Sequence, residues 1–375
     1  MKWNRLTPVV IALLLAMPRA WAETTRELVF VGSGRMDIDA FRFDLASGVL
    51  TRLGRAARIA HPSFLALAPN HRFLYAVSEG PDAAASSVSA FSIDEAAGTL
   101  SLVNSQPAGG AGPCCVQVDA DGRNALIANY NSGSFAVFPL DKSGALRPMS
   151  AFIQDHGSSI NPDRQQGPHA HCIVTDAADR FAFACDLGLD KVMVFRFDPA
   201  KGALLAADPP FVAVKAGAGP RHIAFHPNGR WAYVINEMAS TITAFSYDAT
   251  RGTLGEFQTE STLPKDFSGQ NTDAEVAVHP SGNFVYASNR GDDSIAVFSC
   301  DAVTGRLTFV ERDPTGGKTP RQFEIDPSGR YLLVGNQGSD TVVVFLIDEA
   351  TGHLRPTGNV VHCDNPACVR CLPQP

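Results

Sequence analysis

A seven-residue phrase, D-x-x-x-G-x-L, constrains this chain more than any other feature of its 375 residues. It reads DLASGVL from Asp44, DEAAGTL from Asp94, DPAKGAL from Asp198, DATRGTL from Asp248, DAVTGRL from Asp301 and DEATGHL from Asp348. A copy one residue shorter, DKSGAL, starts at Asp141. The seven copies lie 47 to 57 residues apart. Self-similarity at that period signals repeated supersecondary units rather than separate domains.

Ahead of the phrase runs an alternating apolar segment: SVSAFSI, SFAVFPL, KVMVFRF, TITAFSY, SIAVFSC, TVVVFLI. Two-residue alternation of β-branched and aromatic side chains argues for a strand, and the Asp and Gly that follow are turn residues leading to the next strand. A second run lies upstream behind a P-x-G-R-like turn, as in PNGRWAYVINE and PSGRYLLVGNQ. A third, often opened by Pro, precedes that turn, as in PCCVQV, PRHIAF and PRQFEI. Each repeat thus reads as four antiparallel strands, one propeller blade. The first repeat lacks its Pro-opened strand, and the last residues, Pro366 to Leu372, supply one with nothing after it. The expected fold is all-β: a seven-bladed β-propeller of four-stranded antiparallel blades over residues 23–375, its first blade closed by the C-terminal strand. The 32 Gly, 25 Pro and 23 Phe suit many short strands and turns.

Residues 1–22 read as a secretory leader: Lys2 and Arg5, an apolar run from Val9 to Met17, and Ala20-Trp21-Ala22 as the cleavage site. The run is short of the roughly 20 residues that span a bilayer, so a periplasmic or secreted protein is expected, with no membrane attachment after cleavage. A net charge of −7 without a basic block gives no footprint for nucleic acid. All eight cysteines follow the cleavage site. Cys368 and Cys371, three apart in a strand, point to opposite faces and cannot share a metal ion with ease. One or two disulfides are expected instead, with their pairing open. The sequence leaves the oligomeric state open.

In a propeller, the start of each innermost strand and the end of the next strand meet at the mouth of the central channel. Counting back from each turn gives an opening ring of Ser63, Cys114, His171, Arg221, Ala274, Arg321 and Ala367. The ring below it is Phe64, Cys115, Cys172, His222, Glu275, Gln322 and Cys368. The second-strand ends add Glu79, Asn129 with Tyr130, Asp186, Asn236 with Glu237, Asn289 with Arg290, and Asn336 with Gln337. Charge gathers in the fourth to seventh blades, which a purely structural rim would not require. The recurrent Asn residues and the Asp and Gly of the repeat phrase read as structural. His226 and His279, in the turns after the innermost strand, fall on the opposite face. His171, Arg221, Glu237 and Arg321 do not recur in every blade and are candidates for chemistry. TGGKTP, from Thr315, lacks the first Gly of a phosphate loop, and neither a G-x-S-x-G elbow nor an H-E-x-x-H zinc motif occurs.

The phrases GPHAHCIV, ACDLGLDKVMVFRFD, GAGPRHIAFHPNGRWAYVINE, YASNRGDDSIAVF and PRQFEIDPSGRYLLVGNQGSDTVVVF closely resemble those of the seven-bladed lactonase family. That family includes bacterial propeller 6-phosphogluconolactonases and fungal 3-carboxy-cis,cis-muconate lactonising enzymes. The resemblance covers residues 28 to 372 and implies a sugar-lactone hydrolase working in the channel mouth without metal or other cofactor. It matches the family's His-x-His to His169 and His171, its Pro-Arg-His to Arg221 and His222, its Asn-Glu to Glu237, its Asn-Arg to Arg290 and its last Pro-Arg to Arg321. Export departs from the family pattern, so a lactone other than the phosphorylated one is an open alternative.

Lactone hydrolysis needs a base for water, stabilisation of an oxyanion and an acid for the leaving oxygen. His171, Arg221, Glu237 and Arg290 are the expected catalytic residues, with Glu237 or His171 as the base. His169, His222, Glu275, Arg321 and Gln337 are the expected substrate contacts, and a small-molecule lactone is the expected partner. A muconate-type cycloisomerase and a non-catalytic binding propeller are the alternatives.

Overall fold

The structure, a computed structural model, describes residues 26–373, so the leader expected over residues 1–22 lies outside the described residues. Seven four-stranded antiparallel sheets follow one another around a channel. The fifth runs outward through Pro220–Phe225, Trp231–Asn236, Thr241–Asp248 and Thr253–Ser261. The first takes its innermost strand from the C-terminus: Pro366–Pro373 pairs with Arg26–Ser33, Val29 opposite Cys371. Closure pairs the two ends of the chain, as the repeat count requires, and leaves no free sheet edge between the first and last blades.

Position in the blade dictates pattern. The second strand is covered on both faces by neighbouring blades, and every residue of Trp231–Asn236 is buried. The outermost strand keeps exposed positions throughout, as in Thr253–Ser261. Aromatic rings wedge between blades: Phe183 of the fourth meets Phe225 and Tyr247 of the fifth at centroid distances of 5.1 and 5.4 Å. Such pairs add about 0.5–1.5 kcal/mol each beyond their buried area.

The repeat phrase is an inter-blade latch. The Asp248 carboxylate accepts the amides of Thr250 and Arg251 and the Thr250 hydroxyl. Gly252, at φ +71°, packs so closely that a Cβ would lie 2.3 Å from the Phe181 ring of the preceding blade. Gly144 meets Phe73, Gly305 meets Trp231 and Gly352 meets Phe284 in the same way. Tyr75, Tyr233 and Tyr286 donate to the carbonyls of Gly144, Gly305 and Gly352 at 2.9 Å. Far from the mouth, His226 and His279 bond the carbonyls of Gly282 and Gly329 in the next blade, which accounts for both.

Gly252→Ala is therefore expected to cost about 2–4 kcal/mol, left-handed strain plus overpacking. Gly229→Ala, at φ +67° with nothing within 4 Å of the added carbon, should cost only about 1–2 kcal/mol. Urea unfolding of both variants checks this, and equal costs would remove the steric latch.

One expectation is overturned. All eight cysteines are free and buried, with no disulfide among them. Blade geometry separates the sulfurs that sequence proximity brings near. Cys368 packs with Leu28 and Leu65 on one face of the closing strand, and Cys371 with Val29 and Tyr331 on the other. Cys363 lies against Asp39 and Cys300 against Tyr233. Among the described residues, no helix is long and apolar enough to cross a membrane.

Candidate active site

The two expected rings line different spaces, but not every member reaches one. From the opening ring Cys114, His171 and Arg321 border a mouth cavity of about 340 Å³, walled also by Glu79, Tyr130, Arg164, Glu237, Thr272 and Arg290. An adjoining lobe of about 230 Å³, lined by Gly34, His61, Ser63, Glu79, Arg321 and Gln337, shares Glu79 and Arg321 with it. The second ring lines a separate channel cavity of about 500 Å³.

Glu237 is the electrostatic centre of the mouth. Its Oε2 takes Arg221 Nε at 3.0 Å and Arg290 Nη2 at 2.9 Å, and its Oε1 takes Arg164 Nη2 at 2.7 Å. Burial alone would raise the carboxyl, but Arg290, Arg221 and Arg164 overcome it and hold it at about 2. A carboxylate so tightly paired is a poor acceptor for a proton from water; its part is to gather guanidinium groups. Three cations face one anion, so positive charge is in excess here. Burial, with repulsion from Arg221, brings Arg290 down to about 10.

Arg221 is 2% exposed and borders neither cavity. Its Nη1 donates to the Ala274 carbonyl at 2.7 Å and lies 3.3 Å from His222 Nε2. It therefore stands behind the site as a strut between blades five and six. His222 and Glu275, expected at the substrate, sit one layer lower: they bond each other at 2.8 Å and line the channel cavity. His169 also stands back from the cavity. Its ring stacks on Tyr130 at 4.6 Å and its Nδ1 meets the Tyr130 carbonyl, so it fixes Tyr130. Gln337 and Arg321 border the adjoining lobe.

His171 is different in kind. It is 5% exposed, borders the mouth cavity, and its Nδ1 has no hydrogen-bond partner. Burial first, then Arg221, His222, Arg321 and Arg290, push its pKa well below 6.5. The ring is thus neutral at pH 7, wedged edge-on between Tyr130 and His222 at 5.5 and 5.1 Å. A neutral imidazole with a free nitrogen beside a cationic cavity is equipped to take a proton from water.

The structure adds Arg164, which the repeat pattern does not reveal. It comes from the chain between blades three and four, where the repeat spacing is widest, and its Nη2 also donates to the Tyr130 hydroxyl at 3.0 Å. The recurrent Asn residues are buried and structural: Asn236 donates to Thr241 and Thr243, and Asn336 to the Thr315 carbonyl. Among the described residues, no three His, Cys, Asp or Glu side chains are grouped to hold a metal ion.

The chain belongs to the lactonase family of seven-bladed β-propellers, whose model matches residues 28–371. It is similar to the 6-phosphogluconolactonase of Bacillus subtilis, 35% identical over 78% of this chain and 82% of that one. It is equally similar to the 6-phosphogluconolactonase of Formosa agariphila, 35% identical over 74% of this chain and 79% of that one. The crystal structure of a periplasmic gluconolactonase from Pseudomonas aeruginosa superimposes with a TM-score of 0.88 at 33% identity, covering 93% of this chain and all of that one.

Proposed function

We propose that the protein is an exported sugar-lactone hydrolase that directs water onto a lactone carbonyl in the channel mouth. One observation carries the reading: a neutral, buried His171, its Nδ1 without a hydrogen-bond partner, borders the cavity that Arg290, Arg164 and Arg321 also line. The family and its lactonase relatives support it. Export rests on the leader over residues 1–22 and agrees with the periplasmic relative.

In this mechanism His171 takes a proton as water adds to the carbonyl carbon. Arg290 and Arg164 stabilise the oxyanion, where preorganised positive charge is most effective. The ring C–O bond then breaks, and the imidazolium returns its proton to the leaving alkoxide. The hydroxy acid so formed releases its carboxyl proton to solvent, and the product carboxylate stays beside the surplus positive charge. Glu237 and Arg221 position the arginines and exchange no proton.

A pH-stat assay of the purified mature protein on a panel of lactones, corrected for buffer hydrolysis, tests the activity. No acceleration for any lactone would favour a binding propeller, and an ultraviolet change with muconates would favour the cycloisomerase. The same assay tests the base. A depressed imidazole stays neutral in mild acid, so kcat/KM should hold nearly level from about pH 7.5 to about pH 5.5. An ordinary histidine would lose roughly tenfold over that range, and such a loss would exclude His171 in this role.

A further inference from the structure

The mouth has two lobes of unlike electrostatics, joined at Glu79 and Arg321. The first is walled by the guanidiniums of Arg164, Arg290 and Arg321 against the carboxylates of Glu237 and the shared Glu79, with Arg221 behind Glu237. The second is balanced: Arg321 Nη2 lies 3.7 Å from Glu79 Oε2, and the other polar side chains of its wall are His61, Ser63 and Gln337. Ser63 is 4% exposed, and its hydroxyl, on that wall, has no hydrogen-bond partner. Each lobe is therefore walled by a buried residue with an unpartnered polar atom, His171 in one and Ser63 in the other.

We infer that the second lobe reads the hydroxyl groups of an unphosphorylated polyhydroxy lactone, and that Glu79 is the residue that turns phosphorylated lactones away. This rests on the lactonase reading above. With the lactone carbonyl in the first lobe, the exocyclic end of a sugar lactone extends into the adjoining space. A hydroxyl there suits the groups beside it: it donates to Glu79 and accepts from Arg321 and from the Ser63 hydroxyl. A phosphate dianion is an acceptor that meets the Glu79 carboxylate in the same small space, and Arg321 is already engaged by that carboxylate. The like charge is a built-in rejection rather than a missing contact. Position supports the division of labour, since surplus positive charge lies where the oxyanion forms and the neutral pair lies where a neutral tail sits.

The test compares kcat/KM for glucono-δ-lactone, 6-phosphoglucono-δ-lactone and δ-valerolactone in the wild type, Glu79→Gln and Ser63→Ala. The wild type should prefer the unphosphorylated sugar lactone over the phosphorylated one by roughly tenfold or more. Glu79→Gln, which frees Arg321 and removes the like charge, should move that ratio by about tenfold toward the phosphorylated lactone. Ser63→Ala should raise KM for glucono-δ-lactone about three- to tenfold, the scale of one hydrogen bond, and affect δ-valerolactone least. Melting curves confirm that both variants fold. Wild-type preference for the phosphorylated lactone, or an equal change on all three substrates in Glu79→Gln, would overturn the inference while leaving the lactonase reading intact. Absence of turnover on every lactone would remove both.

Discussion

Glu237→Gln is expected to lose about 3–5 kcal/mol of stability and at least ~10² in lactone turnover. The first figure is the usual cost of removing one partner from a buried ion pair. Here the remaining partners are three guanidiniums, one of them, Arg221, with 2% of its surface in contact with water. Glutamine keeps the shape and one acceptor but leaves Arg221 and Arg290 to repel each other at close range. The second figure follows from the first, because arginines that are no longer held cannot be preorganised for an oxyanion. The pH dependence separates charge from shape. A carboxyl lowered from 4.5 to about 2 contributes roughly 3 kcal/mol that is present above its unfolded value and lost as pH falls toward 2. The stability gap between wild type and variant should thus be widest at neutral pH and narrow progressively below about pH 4.5. Guanidinium unfolding at several pH values measures it, and a gap independent of pH would mean that packing, not charge, is the basis of the loss.

Most of the fold was legible because blades repeat and each repeat must satisfy the same contacts. The Asp and Gly of the phrase recur because every blade needs a closed turn with no Cβ against its close-packed neighbour, an aromatic ring in the case of Gly252 and Phe181. Ring closure was legible because the missing first strand and the surplus last one are complementary, as Val29 opposite Cys371 shows. The site was half legible for the same reason. Counting from the turns places His171, Glu237, Arg290 and Arg321 around one mouth, but it cannot tell a side chain that reaches the cavity from one that braces it. Arg221 and His222 are adjacent in sequence, and neither reaches the mouth; Glu237 looks like a base until its three cations are counted. Arg164 obeys no repeat, and its only trace in the sequence is the excess length of the third-to-fourth connection. The disulfide expectation failed at Cys368 and Cys371 because compartment and spacing say where bonds are allowed, whereas strand parity decides on which face a sulfur lies.

His171→Ala should show the opposite balance to Glu237→Gln: turnover down by ~10² to 10⁴, the range for loss of a general base, with stability lowered by only about 1–3 kcal/mol. The small second figure follows from the geometry. Nδ1 has no partner, so truncation orphans no donor or acceptor. The losses are two edge-on ring contacts, with Tyr130 and His222, and a small space continuous with the mouth cavity, which water can fill. The same space permits chemical rescue. Added imidazole should restore part of the rate in His171→Ala, saturably and only in its neutral form, while leaving Glu237→Gln unaffected because the arginines there remain displaced. Retention of more than about a tenth of wild-type turnover in His171→Ala would move the base elsewhere, with His222 the next imidazole. That reassignment is itself constrained: the His222 Nδ1 is held by Glu275 and its Nε2 faces Arg221. To act, His222 would have to break a buried pair that His171 does not have.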